Sequence, residues 1–416
     1  MRTNTILLGI AMCSLLLALP AAASDYTLGI FGNANEDETI NMQDVTYTEL
    51  IILEYRDKTE LADAKHDGKI NMQDVTQIEL VILGKEKELT LVDSANRIVT
   101  VKKPIERIVE ISFTTVEVMR SLKLEMDKLV GVSKHTKDKM TFFPEFSECP
   151  DVGESSSPNY EVILELQPDI VFLYALGHST QMEEIRSTLS AADPTIAVVG
   201  FSFNKPSIFI EEVQKLGYVL GKRNEADEFI DFYNDWINAV KERIEEISES
   251  EKPKVYFELA YSPYKTCGEG YFGERVEMAG GNNIFSDLSG SCTVDPEEVI
   301  ERNPEIIVVD TWAGSYDEDD ISVLVDARDE FVNRPEMSGV DAVKNGHVYV
   351  LTHKDFYYGP SHFIAIAYMA KWFHSELLED LGDPQAFHQE YLTRFQELDY
   401  NLDEHGVFVY PPHEES

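Results

Sequence analysis

Two stretches near the amino terminus carry oxygen donors at a spacing suited to a hard cation. NANEDETINMQD starts at Asn33 and DAKHDGKINMQD starts at Asp63, and the hexapeptide NMQDVT occurs identically at 41–46 and 71–76. A calcium loop places side-chain oxygens at positions 1, 3, 5, 9 and 12 and a backbone carbonyl at position 7, so that an oxygen cage replaces water around the ion. The first stretch supplies Asn33, Asn35, Asp37, Asn41 and Asp44, with the carbonyl of Thr39. The second supplies Asp63, Asp67, Asn71 and Asp74, with the carbonyl of Lys69. Two residues depart from the pattern: Lys65 stands at position 3, where an ammonium cannot coordinate a cation, and Glu38 replaces the glycine that eases the bend at position 6. A single such stretch could be a solvated turn; the duplication points to Ca2+.

A second repeat carries carboxylates. NYEVILELQPDIVFL at 159–173 and PEEVIERNPEIIVVD at 296–310 each place a glutamate ahead of a proline, Glu161 before Pro168 and Glu297 before Pro304, at one spacing. Each copy predicts a short amphipathic helix, a proline turn and a buried strand of the parallel-sheet kind. Either copy alone is an ordinary helix-turn-strand unit, whereas the pair predicts two related α/β halves. Two carboxylates on matching helices can grip two basic pockets, with arginine pairing bidentately. Equally, each is a solvated glutamate in a first helical turn, where negative charge suits the helix dipole.

Ligands of open parallel sheets gather beyond the carboxyl ends of the strands. Around those ends stand Lys134, His135, Tyr264, Tyr271, Arg275, Trp312, His353 and Tyr357, with Lys354 beside them. Aromatic faces suit a flat chelate and the bases suit its anionic groups, although each aromatic taken singly is more often packing. His135, His353 and His362 are metal-ligand types without a short metal-binding spacing.

The elements that must position these groups follow from periodicity. Ala226, Phe229, Tyr233, Trp236, Val240, Ile244 and Ile247 recur at helical steps, predicting one long helix over 224–249, capped by Asn224 and stopped before Pro253. At 1.5 Å per residue it spans roughly 35 to 40 Å, enough to act as a strut between the two halves. Short apolar strands at 98–101, 108–111, 129–132, 170–173 and 196–199 alternate with helices at 115–122 and 181–189; after the strut the pattern restarts, with strands at 254–259, 306–309 and 347–351 and helices at 273–279 and 363–378. The expected organisation is a leader at 1–23, a calcium-loop module at 25–84, one α/β lobe at 89–203, a linking region at 204–252 and a second lobe at 253–416.

With 35 basic and 76 acidic residues the net charge is -41, which argues against nucleic acid and fits a soluble protein in a salty medium. Arg2, the apolar run 6–19 and Ala21–Ala23 predict a secretory signal peptide; Cys13 lies inside that run, so a lipid-modified cysteine is the lesser alternative. No later segment is apolar over the roughly 18 to 20 residues that span a membrane. The mature chain is therefore expected outside the cytoplasmic membrane, at the cell envelope. Export permits a Cys267–Cys292 disulfide, and unpaired thiols remain equally open.

Residues 25–84, with two calcium loops each leading into a helix, resemble a type I dockerin module. The resemblance implies a small all-α calcium-binding domain that docks on a cohesin-bearing surface protein, with Met42-Gln43 and Met72-Gln73 at the matching partner-selecting positions. Residues 89–410, in the order DSANRIVTV, PIERIVEIS, VGVS, PNYEVILELQPDIVFL, long helix, MAGGNNIF and VDPEEVIERNPEIIVV, are similar to class III periplasmic binding proteins. That implies two parallel-sheet lobes joined by a single long helix, a receptor of an ABC importer for iron-siderophore, heme or cobalamin-type complexes, and docking of Glu161 and Glu297 on arginines of the membrane permease. The expected protein is no enzyme. A scaffold-attached, glycosidase-like extracellular enzyme carried by the dockerin is the rival, and a purely adhesive surface protein the third reading.

Overall fold

The computed structural model describes residues 26–175, 179–270, 272–357 and 359–411. The expected signal peptide and Tyr271 lie outside the described residues. The chain divides into two compact units, one ending at Glu86 and the other beginning at Lys87.

The first unit is built on α1 (Met42–Ile52) and α2 (Met72–Leu83). The repeated hexapeptide dictates both starts. Asn41 Oδ1 accepts the Gln43 N–H at 2.8 Å while Asp44 accepts the Asn41 N–H at 2.8 Å. Asn71, Gln73 and Asp74 repeat the arrangement at 2.9 and 2.8 Å. Such reciprocal caps satisfy the donors that a helix start leaves open. Val45, Ile51, Val75, Ile78 and Val81 are buried with Leu28, Ile30 and Phe31 as the core of this unit.

The second unit opens with an antiparallel pair, β1 (Glu88–Val92) and β2 (Ile98–Lys102). Its first lobe alternates β3 (Ile108–Glu110), α3 (Phe113–Ser121), β4 (Leu129–Gly131), α4 (Lys134–Asp138), α5 (Tyr160–Glu165), β5 (Ile170–Tyr174), α6 (Ser179–Ala192) and β6 (Ala197–Phe201). The sheet order is β4-β3-β5-β6, parallel throughout. Then come α7 (Pro206–Leu220) and α8 (Arg223–Ile244). The second lobe contains β7 (Lys254–Glu258), α9 (Phe272–Met278), β8 (Asn282–Asn283), α10 (Pro296–Arg302), β9 (Ile306–Thr311), α11 (Ser322–Val332), β10 (Val348–Thr352), α12 (His362–Phe373), α13 (Pro384–Arg394) and β11 (Val409–Tyr410). Its sheet runs β8-β7-β9-β10-β11, parallel except for the last strand.

The helix-turn-strand repeat is realised in backbone detail. Ile163 of α5 and Val299 of α10 are each buried in their lobe's core. The residue before each proline is left-handed, Gln167 at φ 47 and Asn303 at φ 45, which breaks the helix and redirects the chain into the strand.

The linking region differs from expectation. The long helix spans Arg223–Ile244 rather than 224–249, and Lys222, not Asn224, precedes its first turn, without a side-chain cap. Glu245, Glu246 and Glu249 would crowd negative charge at the negative end of the dipole. Glu251 instead accepts the Ser248 N–H at 2.8 Å and its hydroxyl at 2.6 Å, closing a turn. The helix is also paired rather than isolated: α7 packs against it, and a Cβ on Gly217 would sit 2.7 Å from that of Ala226, so glycine is what lets the two backbones approach. Similarly, α12 stops at Phe373, short of the expected 378. Ala226, Phe229, Tyr233, Val240 and Ile244 are buried as the stripe predicted. Phe229 and Phe232 pack on Phe395 at 5.1 and 4.7 Å, Trp236 on Phe387 at 5.2 Å, and Arg243 Nε donates to Asp380 Oδ1 at 3.2 Å, so the second lobe holds the helix from its first half to its end.

The three described cysteines are free thiols. On the antiparallel pair 265–267 and 291–293, Cys292 faces Thr266 and Cys267 faces Ser291, which leaves the two cysteines diagonal to one another.

Candidate functional site

The ends of β3, β5, β9 and β10 converge on a cleft of about 630 Å3. From the first lobe it is lined by Ser112, Phe113, Thr114, His135, Asp138, Lys139, Phe142, Ser155, Ser156, Tyr174 and Gln181, and from the second by Trp312, Ser315, Tyr316, Asp317, Glu318, Lys354 and Asp355. The volume suits a small-molecule ligand. Its position beyond the carboxyl ends of two parallel sheets is the one that crossover topology leaves open, since successive loops there splay apart.

Several contacts cross between the lobes at the cleft. Lys139 Nζ donates to Asp355 Oδ1 at 2.7 Å and to the Lys354 carbonyl at 2.9 Å, and it stands 5.0 Å from the centre of the Phe113 ring. Thr141 bonds Asp317, and the Phe142 and Tyr316 rings pack at 4.8 Å. Tyr316 is fixed by His388, whose Nε2 lies 2.8 Å from its hydroxyl. Burial drives the His388 imidazole down to about 3, so it stays neutral. Behind this wall Glu117 accepts the Tyr391 hydroxyl at 2.7 Å, and burial pushes its carboxyl up to about 7. Glu110, likewise pushed up to about 7 by burial, accepts Thr136 Oγ1 at 2.8 Å and so fixes the turn that carries His135.

Of the residues expected at the ligand, His135 and Trp312 line the cleft, as does Lys354. Lys134 is exposed and pairs with Glu154 at 3.1 Å. Tyr264 bonds Glu336 and lies under the Arg334 guanidinium, 5.0 Å from ring centre. Arg275, expected to meet a ligand anion, is fully buried: it donates to the carbonyls of Phe356 at 2.7 Å, Asn204 at 2.7 Å and Tyr357 at 2.9 Å. Burial lowers its guanidinium to about 10. His353 stands behind Trp312, ring centres 4.1 Å apart, with Nδ1 bonded to Asp310 and Tyr357 stacked on it at 4.0 Å. His362 is buried against Phe209 at 4.9 Å, so the three histidines do not converge. Lys139, Phe142, Tyr316, Asp317 and Glu318 were missed. The last three lie on the loop after β9, only a few residues beyond Trp312, where following the loop further would have found them.

A family model described as periplasmic binding protein matches residues 108–354. The chain belongs to the periplasmic binding protein family. The substrate-binding lipoprotein YvrC of Bacillus subtilis, an ABC transporter component, is 26% identical over 222 residues, covering 53% of this chain and 68% of YvrC. A cobalamin-binding protein of Halobacterium salinarum is 24% identical over 237 residues, 55% of this chain and 60% of that protein. The TroA-like periplasmic binding protein FepB of Veillonella parvula superposes with TM-score 0.64 at 23% identity, over 78% of this chain and 99% of that one. This periplasmic binding protein thus has the class III fold of solute receptors of ABC importers, which hold ligands without transforming them. No helix among its described residues is long and apolar enough to cross a membrane.

In this binding protein Glu161 and Glu297 are both exposed in the first turns of α5 and α10. Asn159 caps one turn through the Val162 N–H at 3.3 Å, and Asp295 caps the other through the Glu297 N–H at 2.9 Å. The family match does not reach residues 26–86. There Asp44 is buried, accepts the Asn35 and Asn41 N–H groups at 3.2 and 2.8 Å, and has its carboxyl raised to about 6, chiefly by burial. Asn33 donates to the Leu28 carbonyl at 2.9 Å, while its buried Oδ1 has no hydrogen-bond partner. In the second loop Asp63 accepts the N–H groups of Asp67 and Gly68 at 3.1 and 2.7 Å, and Lys65 Nζ lies 3.3 Å from Gln73. Among the described residues no three His, Cys, Asp or Glu side chains converge as a metal-binding group.

Proposed function

We propose that this protein captures an iron complex or related metal chelate, of siderophore, heme or corrinoid type, in the cleft between its lobes and delivers it to a membrane permease. The observation that carries the reading is the cleft itself, set beyond the strand ends of two lobes of the receptor fold and walled by Phe113, Phe142, Trp312 and Tyr316. The cobalamin-binding relative supports a metal-complex ligand. Glu161 and Glu297, exposed on equivalent turns of the repeat, are the contacts offered to arginines of the permease. Secretion to the cell envelope completes the role. The glycosidase-like alternative is not favoured, since the family model and the relatives that this chain matches are those of solute-binding proteins. Native mass spectrometry with metal analysis of protein purified from its own source is the test. A bound iron- or cobalt-containing species supports the reading; a bound metal-free solute overturns it.

For residues 25–84 the proposed role is a dockerin-like module that holds Ca2+ and docks on a cohesin-bearing surface protein. The donor chemistry of the first loop fits: Asn33 Oδ1 and the buried Asp44 carboxylate, with Asn35, Asp37, Asn41 and the Thr39 carbonyl, are the groups that would hold the ion. The ion would supply the positive charge that a buried carboxylate lacks. The second loop offers Asp63, Asp67, Asn71, Asp74 and the Lys69 carbonyl, with Lys65 contributing nothing. Circular dichroism that stays unchanged on chelation would sink this reading.

A further inference from the structure

We propose, resting on the metal-chelate reading above, that the cleft selects complexes without net negative charge, taking neutral or cationic chelates and rejecting polyanionic ones.

The charge lining the cleft carries the argument. Four carboxylates, Asp138, Asp317, Glu318 and Asp355, face two lysines, Lys139 and Lys354. One of those ammonium groups is already engaged, because Lys139 is held by Asp355 at 2.7 Å and by the Lys354 carbonyl at 2.9 Å. An anion binding at Lys139 must draw it away from Asp355. That carboxylate is nearly buried, and its Oδ2 already lacks a hydrogen-bond partner. The exchange would leave an unpaired buried charge beside a second anion, which is strongly unfavourable. Two further bases are kept from the ligand, Arg275 closed off by three carbonyls and Lys134 paired with Glu154, so that beside Lys139 only Lys354 and His135 are basic side chains among the described residues lining the cleft. No arginine is among the described residues lining the cleft, so the side chain best shaped to grip carboxylate, catecholate or oxyanion groups is missing there.

The same surface suits the opposite class. Asp317 and Glu318 offer acceptors to amide or ammonium groups on the periphery of a complex, Ser155, Ser156 and Gln181 add neutral partners, and Trp312 covers an apolar face. A neutral or cationic trishydroxamate, or a neutral corrinoid, presents such a periphery. In a salty medium the Debye length shrinks to about 3 Å at 1 M, so these contacting charges, rather than the overall charge of the chain, set the preference.

The test compares ferrioxamine B, a ferric cation, with neutral ferrichrome, neutral cyanocobalamin and the trianionic ferric tris-catecholate enterobactin complex. Quenching of tryptophan fluorescence reads binding, at low and at 1 M salt. The expected result is that at least one neutral or cationic complex binds about a hundredfold more tightly than the trianion. In Asp317→Lys/Glu318→Lys, checked for an unchanged circular dichroism spectrum, that ratio should narrow about tenfold or more. Tighter or equal binding of the trianion overturns the proposal, as does an unaltered ratio in the variant. Ferric heme, which its two propionates make a net anion, is added in the same assay: binding of heme alone overturns this inference and keeps the metal-chelate reading, whereas binding of none of the five overturns that reading and this inference with it.

Discussion

Replacing Lys139 by methionine removes one charge of the pair that ties the lobes together at the cleft while keeping the side chain's length. The pair is close, 2.7 Å, with the lysine side chain 23% and the aspartate side chain 6% exposed. At an effective dielectric of about 20 the Coulomb attraction at that distance is about 6 kcal/mol, before the desolvation of both groups is subtracted. Breaking a buried pair by removing one partner typically costs about 3–5 kcal/mol, and the partial exposure of Lys139 places it near about 3. Asp355→Asn leaves a lysine that water and the Lys354 carbonyl still satisfy, so it should cost only about 1 kcal/mol. The double variant should cost about 1.5 kcal/mol rather than the sum of the two, a coupling of about 2.5. Urea unfolding followed by tryptophan emission is the assay, and it reads the second unit alone, since Trp236, Trp312 and Trp372 all lie after Lys87. A cost below about 0.5 kcal/mol for Lys139→Met, or simple additivity, would refute the reasoning.

Three further outcomes follow from the same structure. Glu110, Glu117 and Glu212 are each raised by burial from 4.5 to about 7, so the folded chain holds protons that the unfolded chain releases. Their effect on stability is therefore most favourable below about 4.5 and is lost as pH rises to about 7; Glu110→Gln should flatten that slope in a pH series of unfolding midpoints. On the proposed calcium reading of the first unit, the Asp44 carboxyl, raised by burial from 3.8 to about 6, would have to be ionised to meet the ion. Calcium affinity measured by calorimetry should then fall as pH drops below about 6, by up to tenfold per pH unit, and Asp44→Asn should weaken that dependence, leaving the part that Asp74, also raised by burial, contributes at the second loop. Glu161→Lys combined with Glu297→Lys should abolish uptake and leave ligand affinity unchanged; undiminished uptake refutes the docking role.

Local chemistry was legible in the chain itself. Pro168 and Pro304 follow left-handed residues that end their helices, and the β-branched runs at 170–173 and 306–309 become buried parallel strands, whereas the caps at Asn41 and Asn71, read from the sequence only as calcium donors, emerged from the structure. These features depend on residues close in sequence, and from them the location of the cleft followed, because parallel strands open their loops at one end. Which side chains enter the cleft was decided elsewhere. Arg275 looked available until Asn204, Phe356 and Tyr357, from distant segments, supplied carbonyls that close around it. Lys139 gave no signal, because its partner Asp355 comes from the other lobe. The long helix gave up its last turn to a local Ser248–Glu251 turn and found its mate in α7, whose approach depends on Gly217. Sequence thus determined the elements and where they open. Only the tertiary structure could decide which charges face the ligand, since burial and charge pairing depend on atoms brought together from remote parts of the chain.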